Sequence, residues 1–484
     1  MTRRGNAWAA ISLAGALATA GCSTNPATGK SQLALIGEAR EIELGRSYDR
    51  EVVASLGLVD DPELQEYVSR LGRQIASASE RPSLPWTFRV VDDPVVNAFA
   101  IPGGFVYVTR GLLAHLTSEA ELVSVLGHEI GHVTARHSVE QISRQQLAQI
   151  GLLGAVIARP ELGEYASLAQ TGLGLMFLKY GRDDERQADE LGLRYLVEAR
   201  YDPREMPPVF RTLERASEAQ GAGRVPGWLS THPTEESRIQ AISAGIARYG
   251  RSWEGAKVER DAYLSRLEGL PFGDDPREGY FLRGNRFIHP GLGFEIRLPE
   301  GWKTSNQKRQ LSAVSPEGDA IVELSLAGQA SPEAAAREFF ARQGMTRGEP
   351  MERSIGGLPS VASRFEAQGE SGSLVGVAGF VEHGRSVFQI LGYTRENRWR
   401  DLSDRLAESV ESFGPVKDRR LLEVEPKRID LVTLEEPMTI EELARRHPST
   451  VEVKTLAIIN QVEGGATIPA GTRLKRILGG EPPR

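Results

Sequence analysis

The chain has 484 residues, enough for two to four domains of ordinary size, and its 40% hydrophobic and 25% charged residues suit a soluble globular body. A formal net charge of -7 argues against a general nucleic-acid binder, which needs a basic face. With one cysteine, no disulfide can form within the chain.

Arg3 and Arg4 open the chain, and residues 7–20 form an uncharged, Ala/Leu-rich run. That run is too short to span a bilayer but suits the apolar part of a signal peptide. Small residues, Thr19-Ala20-Gly21, lead directly into Cys22. The arrangement resembles a bacterial lipoprotein signal. By that resemblance residues 1–21 are removed, Cys22 becomes the lipidated first residue, and Ser23 beside it suits sorting to the outer membrane. An ordinary signal peptide or an uncleaved anchor is the bland alternative.

Residues 22–35 read as a polar tether. Helical periodicity follows at 38–56 and 62–79, then a strand at 87–91. Two extended segments, 97–101 and 105–109, flank a Pro102-Gly103-Gly104 turn. Helices are predicted at 118–137, 175–199, 203–216 and 235–248. The apolar, Gly-rich stretch 148–178, broken by Arg159-Pro160-Glu161, is too short in either half for a membrane span and reads as a buried helix or a cover over a cleft. Residues 36–250 therefore read as a mainly α domain with a small sheet, followed by a charged connector at 251–284.

Between 285 and 415 the pattern changes. Strands are predicted at 294–298, 320–326, 360–365, 374–381 and 387–393, with helices at 332–343 and 398–412, an α+β order with an antiparallel sheet. The run from Gly293-Phe294 to Pro299-Glu300-Gly301-Trp302 resembles the start of PsbP and Mog-type domains. After a linker at 416–427, residues 428–478 give a β-α-α-β order: a strand at 429–434, a helix opened by Thr439 and Glu442 as a capping box, a helix at 451–460 and a strand at 472–478. Leu456-Ala457-Ile458-Ile459-Asn460 and Pro469-Ala470-Gly471-Thr472 make this unit similar to a LysM domain. The similarity implies peptidoglycan binding; a scaffold role is the alternative.

The segment that carries chemistry is His128-Glu129-Ile130-Gly131-His132. With eight histidines in the chain, an accidental H-E-x-x-H arises roughly once in a hundred such sequences, so the match has weight. Ser118 and Glu121 predict a helix start, and Leu122, Val125, Leu126 and Val133 predict a buried face. The two histidines then lie one turn apart on one side, placed to share an ion. Two His, one carboxylate and an open water position make the hydrolytic zinc arrangement. Glu129, about 100° round the helix, can meet the attacking water without ligating. Glu185 and Asp189, spaced i, i+4, can supply a ligand and a partner for a ligand histidine, or they form a solvated acidic face.

His128 to His137 followed by Glu185-x-x-Ala188-Asp189-x-x-Gly192 resembles the gluzincin metallopeptidases that include HtpX and the CAAX prenyl proteases. Asn25-Pro26-x-Thr28-Gly29-Lys30, Asn97-Ala98-Phe99-Ala100 and Thr231-His232-Pro233 with Arg238 resemble its periplasmic branch. The resemblance implies one Zn²⁺ held by His128, His132 and Glu185, with Asp189 supporting a ligand. It implies that Asn97, Gly103, Gly104 and Phe105 line a cleft where a substrate strand adds to an exposed edge. It further implies that His232 can close the open zinc position as a latch. Arg238 would steady an oxyanion or pair with an acid. His137, His115, His289, His383 and His447 carry no assigned role. The expected partners are unfolded or misassembled envelope proteins, outer-membrane lipid and peptidoglycan, with no nucleic acid. A chaperone-like assembly factor and a cell-wall-binding protein are the competing functions.

Overall fold

The computed structural model describes residues 22–158, 180–220, 227–232, 236–350, 354–369 and 372–480. The signal segment 1–21 and most of the apolar stretch 148–178 lie outside the described residues. No helix among those described is long and apolar enough to cross a membrane. The chain forms two units: residues up to Gly273 together with Arg428–Leu478, and Asp274–Lys427.

In the first unit, helices Glu38–Leu56 and Pro62–Ala76 lead into a three-stranded sheet ordered Thr87–Val91, Phe105–Thr109, Ala98–Ile101. The first two strands pair parallel and the last two antiparallel. Gly103 and Gly104 at the turn have φ of +86° and +95°, conformations that side chains other than glycine rarely adopt. Then come the helices that carry the site, Glu119–Thr134, His137–Ala158, Arg182–Glu198 and Glu236–Arg248. Ser118 caps the first by accepting the Glu121 N–H, while the Glu121 carboxylate reaches back to the Thr117 N–H, one residue earlier than a capping box requires.

Three expectations differ from the structure. Residues 22–35 are not a loose tether: Cys22–Thr24 pairs with Ser31–Leu33, and Asn25 Nδ2 donates to Ala135 O at 3.1 Å at the end of the Glu119–Thr134 helix. The helix expected over 118–137 ends at Thr134, because Arg136 takes φ +60° and a new helix starts at His137. The left-handed residue is held by a salt bridge to buried Glu41 (Nε to Oε2, 3.0 Å) and by the Ile36 carbonyl. Finally, the connector at 251–284 contains the helix Arg260–Leu267, whose Tyr263, Leu264 and Leu267 are fully buried.

The β-α-α-β elements Arg428–Thr433, Ile440–Arg446, Val453–Asn460 and Arg473–Leu478 occur in the expected order, with the Thr439–Glu442 capping box present. They do not stand alone. Leu443, Leu456, Ile459 and Leu474 share one apolar core with Leu122, Leu126, Leu196 and Tyr263. Lys475, fully buried in this shared core, donates to the Ala114 and Leu116 carbonyls, each at 2.7 Å. Gln461 Nε2 donates to Glu121 Oε2 at 3.0 Å.

The second unit is a seven-stranded antiparallel sheet ordered Met345–Pro350, Ser360–Gly369, Gly372–His383, Ser386–Arg395, Ala320–Leu326, Gln310–Val314, Lys303–Gln307. Period-2 alternation divides its apolar residues between two layers. Val377, Val381 and Ile390 pack with Leu402, Leu406 and Val410 of the Trp399–Glu411 helix. Ala378, Phe380 and Leu391 pack with Ala335, Ala336 and Phe339 of the Pro332–Phe340 helix. This is the α+β arrangement expected for 285–415, with a four-stranded sheet from Tyr280–Leu282 to Gly414–Pro415 beside it.

Candidate metal centre

Every residue of the Glu119–Thr134 helix is buried, with Leu122, Val123, Val125, Leu126, Ile130 and Val133 forming its apolar face, so it runs through the core. Its neighbour Arg182–Glu198 comes close because glycines face each other. A Cβ on Gly192 would stand 3.0 Å from the His128 backbone nitrogen, and one on Gly131 would stand 3.1 Å from the Ala188 carbonyl oxygen. That approach brings Glu185 and Asp189 against the two histidines.

His128, His132, Glu185 and His232 are all buried, and each offers a ligand atom within 4.8 Å of the others. His128 Nε2 and His132 Nε2 lie 3.0 Å apart, and each is 3.6 Å from a Glu185 oxygen. His232 Nδ1 lies 2.8 Å from Glu185 Oε1 and 3.4 Å from His128 Nε2. The outer nitrogen of His128 faces Asp189 Oδ1 at 2.9 Å. Arg238 holds Asp189 through two hydrogen bonds of 2.8 Å and sits 2.7 Å from Glu185 Oε2. Of its two expected roles, pairing with acids is the one this geometry displays. Glu129 is fully buried, neither carboxylate oxygen meets a donor in good hydrogen-bond geometry among the described residues, and His232 Nε2 lies 3.6 Å away.

Burial raises the Glu129 carboxyl, opposed by His232, His128 and the Ala100 peptide group. Burial acts the same way on Glu185, but His232, His128 and Arg238 outweigh it and hold that carboxyl at about 2. Burial, reinforced by the neighbouring histidines, keeps His132 well below its ordinary value. For His232 burial is opposed by Glu185 and Glu129, and the balance lies above the ordinary value. An ionised carboxylate beside a neutral imidazole is the donor chemistry zinc requires. Three imidazoles and one carboxylate, all buried and with ligand atoms within 4.8 Å of one another, fit a tetrahedral zinc ion.

The cleft residues divide differently from expectation. Phe105–Thr109 is the central strand of its sheet, paired on both sides, so it offers no edge; Gly103 instead donates its N–H to Glu41 Oε1 at 3.3 Å. The outer strands are Thr87–Val91 and Ala98–Ile101, and it is the second whose Ala100 lies beside Glu129. Asn97 is buried just before it, its N–H donating to Thr109 Oγ1. Sequence reasoning also missed three rings. Tyr180 stacks on His132 with centroids 3.9 Å apart, and Trp228 stacks on His232 at 4.3 Å. His137, given no role, lies against His132. An H-E-x-x-H-x-x-x-x-H reading would have flagged His137; the two aromatic residues carry no sequence signal.

Residues 62–246 match the family model "Peptidase family M48". The chain is 37% identical over 299 residues to the putative beta-barrel assembly-enhancing protease of Vibrio cholerae, covering 59% of this chain and 57% of that one. It is 32% identical over 226 residues to the beta-barrel assembly-enhancing protease of Escherichia coli K12 (45% and 46%). The mitochondrial metalloendopeptidase OMA1 of Arabidopsis thaliana is 30% identical over 237 residues (49% and 46%). The chain thus spans about half the length of the curated relatives it matches. Among solved structures, the cyanobacterial PsbP of Synechocystis aligns at 12% identity and TM-score 0.23, covering 27% of this chain and 91% of that one. The M48 match and the metalloendopeptidase relatives support a zinc metalloprotease as the enzyme class.

Proposed function

We propose that this chain is a zinc endopeptidase of the bacterial envelope, anchored through Cys22 at the outer membrane. Its substrates are misfolded or stalled envelope proteins, outer-membrane β-barrels among them, and His232 holds it latent. The observation that carries the reading is the buried quartet His128, His132, Glu185 and His232 gathered beside Glu129. The names of the Vibrio cholerae and Escherichia coli relatives support the substrate class.

When bound, zinc supplies a Lewis acid that polarises the scissile carbonyl and makes water nucleophilic near neutral pH. The residues do the rest. His128, His132 and Glu185 hold the ion, and Asp189, itself fixed by Arg238, orients the His128 ring. Glu129 accepts a proton from the attacking water and passes it to the leaving amide nitrogen. Tyr180 and Trp228 keep solvent off the imidazoles.

With His232 in place the donor set is closed, as in a structural zinc site, whereas hydrolysis needs an open position. His232 must therefore withdraw before substrate enters. Its place next to both Glu185 and Glu129 means one movement frees a coordination position and the base together. A His232→Ala variant is expected to cleave casein faster than the unaltered chain. Equal or lower turnover rejects the latch while leaving the zinc centre standing.

A further inference from the structure

The two ligand histidines are supported in different ways. The outer nitrogen of His128 faces a carboxylate, Asp189, at 2.9 Å. The outer nitrogen of His132 faces another imidazole: His132 Nδ1 and His137 Nδ1 lie 2.9 Å apart. The far nitrogen of His137, Nε2, lies 2.8 Å from Gln187 Oε1 and 3.7 Å from Asp184 Oδ1. His137 is 1% exposed. Gln187 sits on the same helix as Glu185, so the helix that supplies the carboxylate ligand also supplies the end of this chain.

The proton positions follow from chemistry. His132 Nε2 points into the ligand cluster and must keep its lone pair free to bind a cation. Its hydrogen is therefore on Nδ1. His137 Nδ1 has to accept that hydrogen, which places the His137 hydrogen on Nε2, where the Gln187 carbonyl oxygen accepts it and the Asp184 carboxylate lies 3.7 Å away. Each step is forced by the one before. On a continuous helix His137 would lie about 140° round the axis from His132 and could not face it. It does so because Arg136, at φ +60°, breaks the helix between them.

We propose that His137 is a positioning residue for the metal centre: with Gln187 behind it, His137 locks His132 in the Nδ1–H tautomer whose Nε2 faces the ion. The inference rests on the zinc reading above. Removing such an outer partner lowers metal affinity by about 10–100-fold. A neutral imidazole donates less electron density through the ligand than the Asp189 carboxylate does, so His132 is the weaker and more adjustable of the two imidazole ligands.

The test is zinc affinity by chelator competition on the full chain and on the variants His137→Phe, His137→Gln, Gln187→Leu and Gln187→Glu, with thermal melting of the zinc-free proteins beside it. His137→Phe is expected to weaken zinc binding about 10–100-fold. His137→Gln, which keeps an acceptor, recovers part of that loss. Gln187→Leu weakens binding by a smaller factor and Gln187→Glu tightens it. Selective ¹⁵N labelling of histidine should show His132 as a single Nδ1–H tautomer in the zinc-free unaltered chain and as a mixture in Gln187→Leu. Wild-type zinc affinity in both His137→Phe and Gln187→Leu overturns the proposal, as does a mixed tautomer before mutation. Failure of the unaltered chain to bind zinc would instead overturn the reading on which the proposal rests.

Discussion

Around His128 the first unit buries Glu129, His132, His137, Glu185, Asp189, His232 and Arg238, whereas the buried polar side chains described in the second unit are Ser315, Ser363, Thr394 and Ser409. The second unit closes its sheet with apolar layers and hydroxyls, and among its described residues no fully buried side chain is ionisable. Burying an ionisable side chain costs several kcal/mol unless partners compensate. No fold needs seven such groups around one histidine. The contrast shows where this chain spends stability on chemistry and where it only builds a scaffold.

The largest effect that can break the comparison is at Glu129. Glu129→Gln should reduce casein turnover by about 10²–10⁴-fold, the usual contribution of a general base. Because the change removes a buried carboxylate without a good hydrogen-bond partner, the melting temperature should hold or rise. A large fall in both would make Glu129 structural. Next is Lys475, through which the β-α-α-β elements meet the rest of the first unit. Lys475→Met leaves the Ala114 and Leu116 carbonyls without their donor and should destabilise by about 1–3 kcal/mol in urea unfolding. The same change at Lys303, on the exposed outer strand of the second unit, should stay within about 0.5 kcal/mol. Equal effects at the two lysines would erase the distinction.

A smaller, pH-dependent difference concerns two histidines. Burial lowers His115 in the first unit from 6.5 to about 4. Between those values the unfolded chain binds a proton that the folded chain does not. Stability should therefore fall as pH drops from 6.5 to 4, by at most about 3 kcal/mol. His115→Gln, whose amide can still donate to the Gly111 carbonyl, should flatten that dependence when unfolding midpoints at pH 4.5 and pH 7 are compared. His289 in the second unit is lowered to about 4 for the same reason but is part-exposed, so replacing it should matter less.

Local signals made much of this readable. The H-E-x-x-H spacing and the apolar periodicity around it made His128, Glu129 and His132 legible, because they lie within about a turn of one another, whereas Glu185 and Asp189 were chosen over a solvated acidic face through resemblance. Lys303–Gln307 and Met345–Pro350 escaped notice because outer strands with mostly polar, exposed residues lack alternation. The place of His137 was hidden for another reason: the break at Arg136 is held by Glu41, 95 residues away. The β-α-α-β elements were legible, but not their shared core, since hydrophobic faces do not name their partners. His232 stood out only through resemblance, and the Trp228 and Tyr180 rings packed on the site had no pattern at all.

Metal content bears most directly on the convergence of these side chains around one cation. Elemental analysis of the purified chain should find one zinc per molecule, and His128→Ala/His132→Ala should lose it while the protein remains folded by circular dichroism. No zinc in the unaltered chain, or a full equivalent retained after both histidines are gone, would contradict the account.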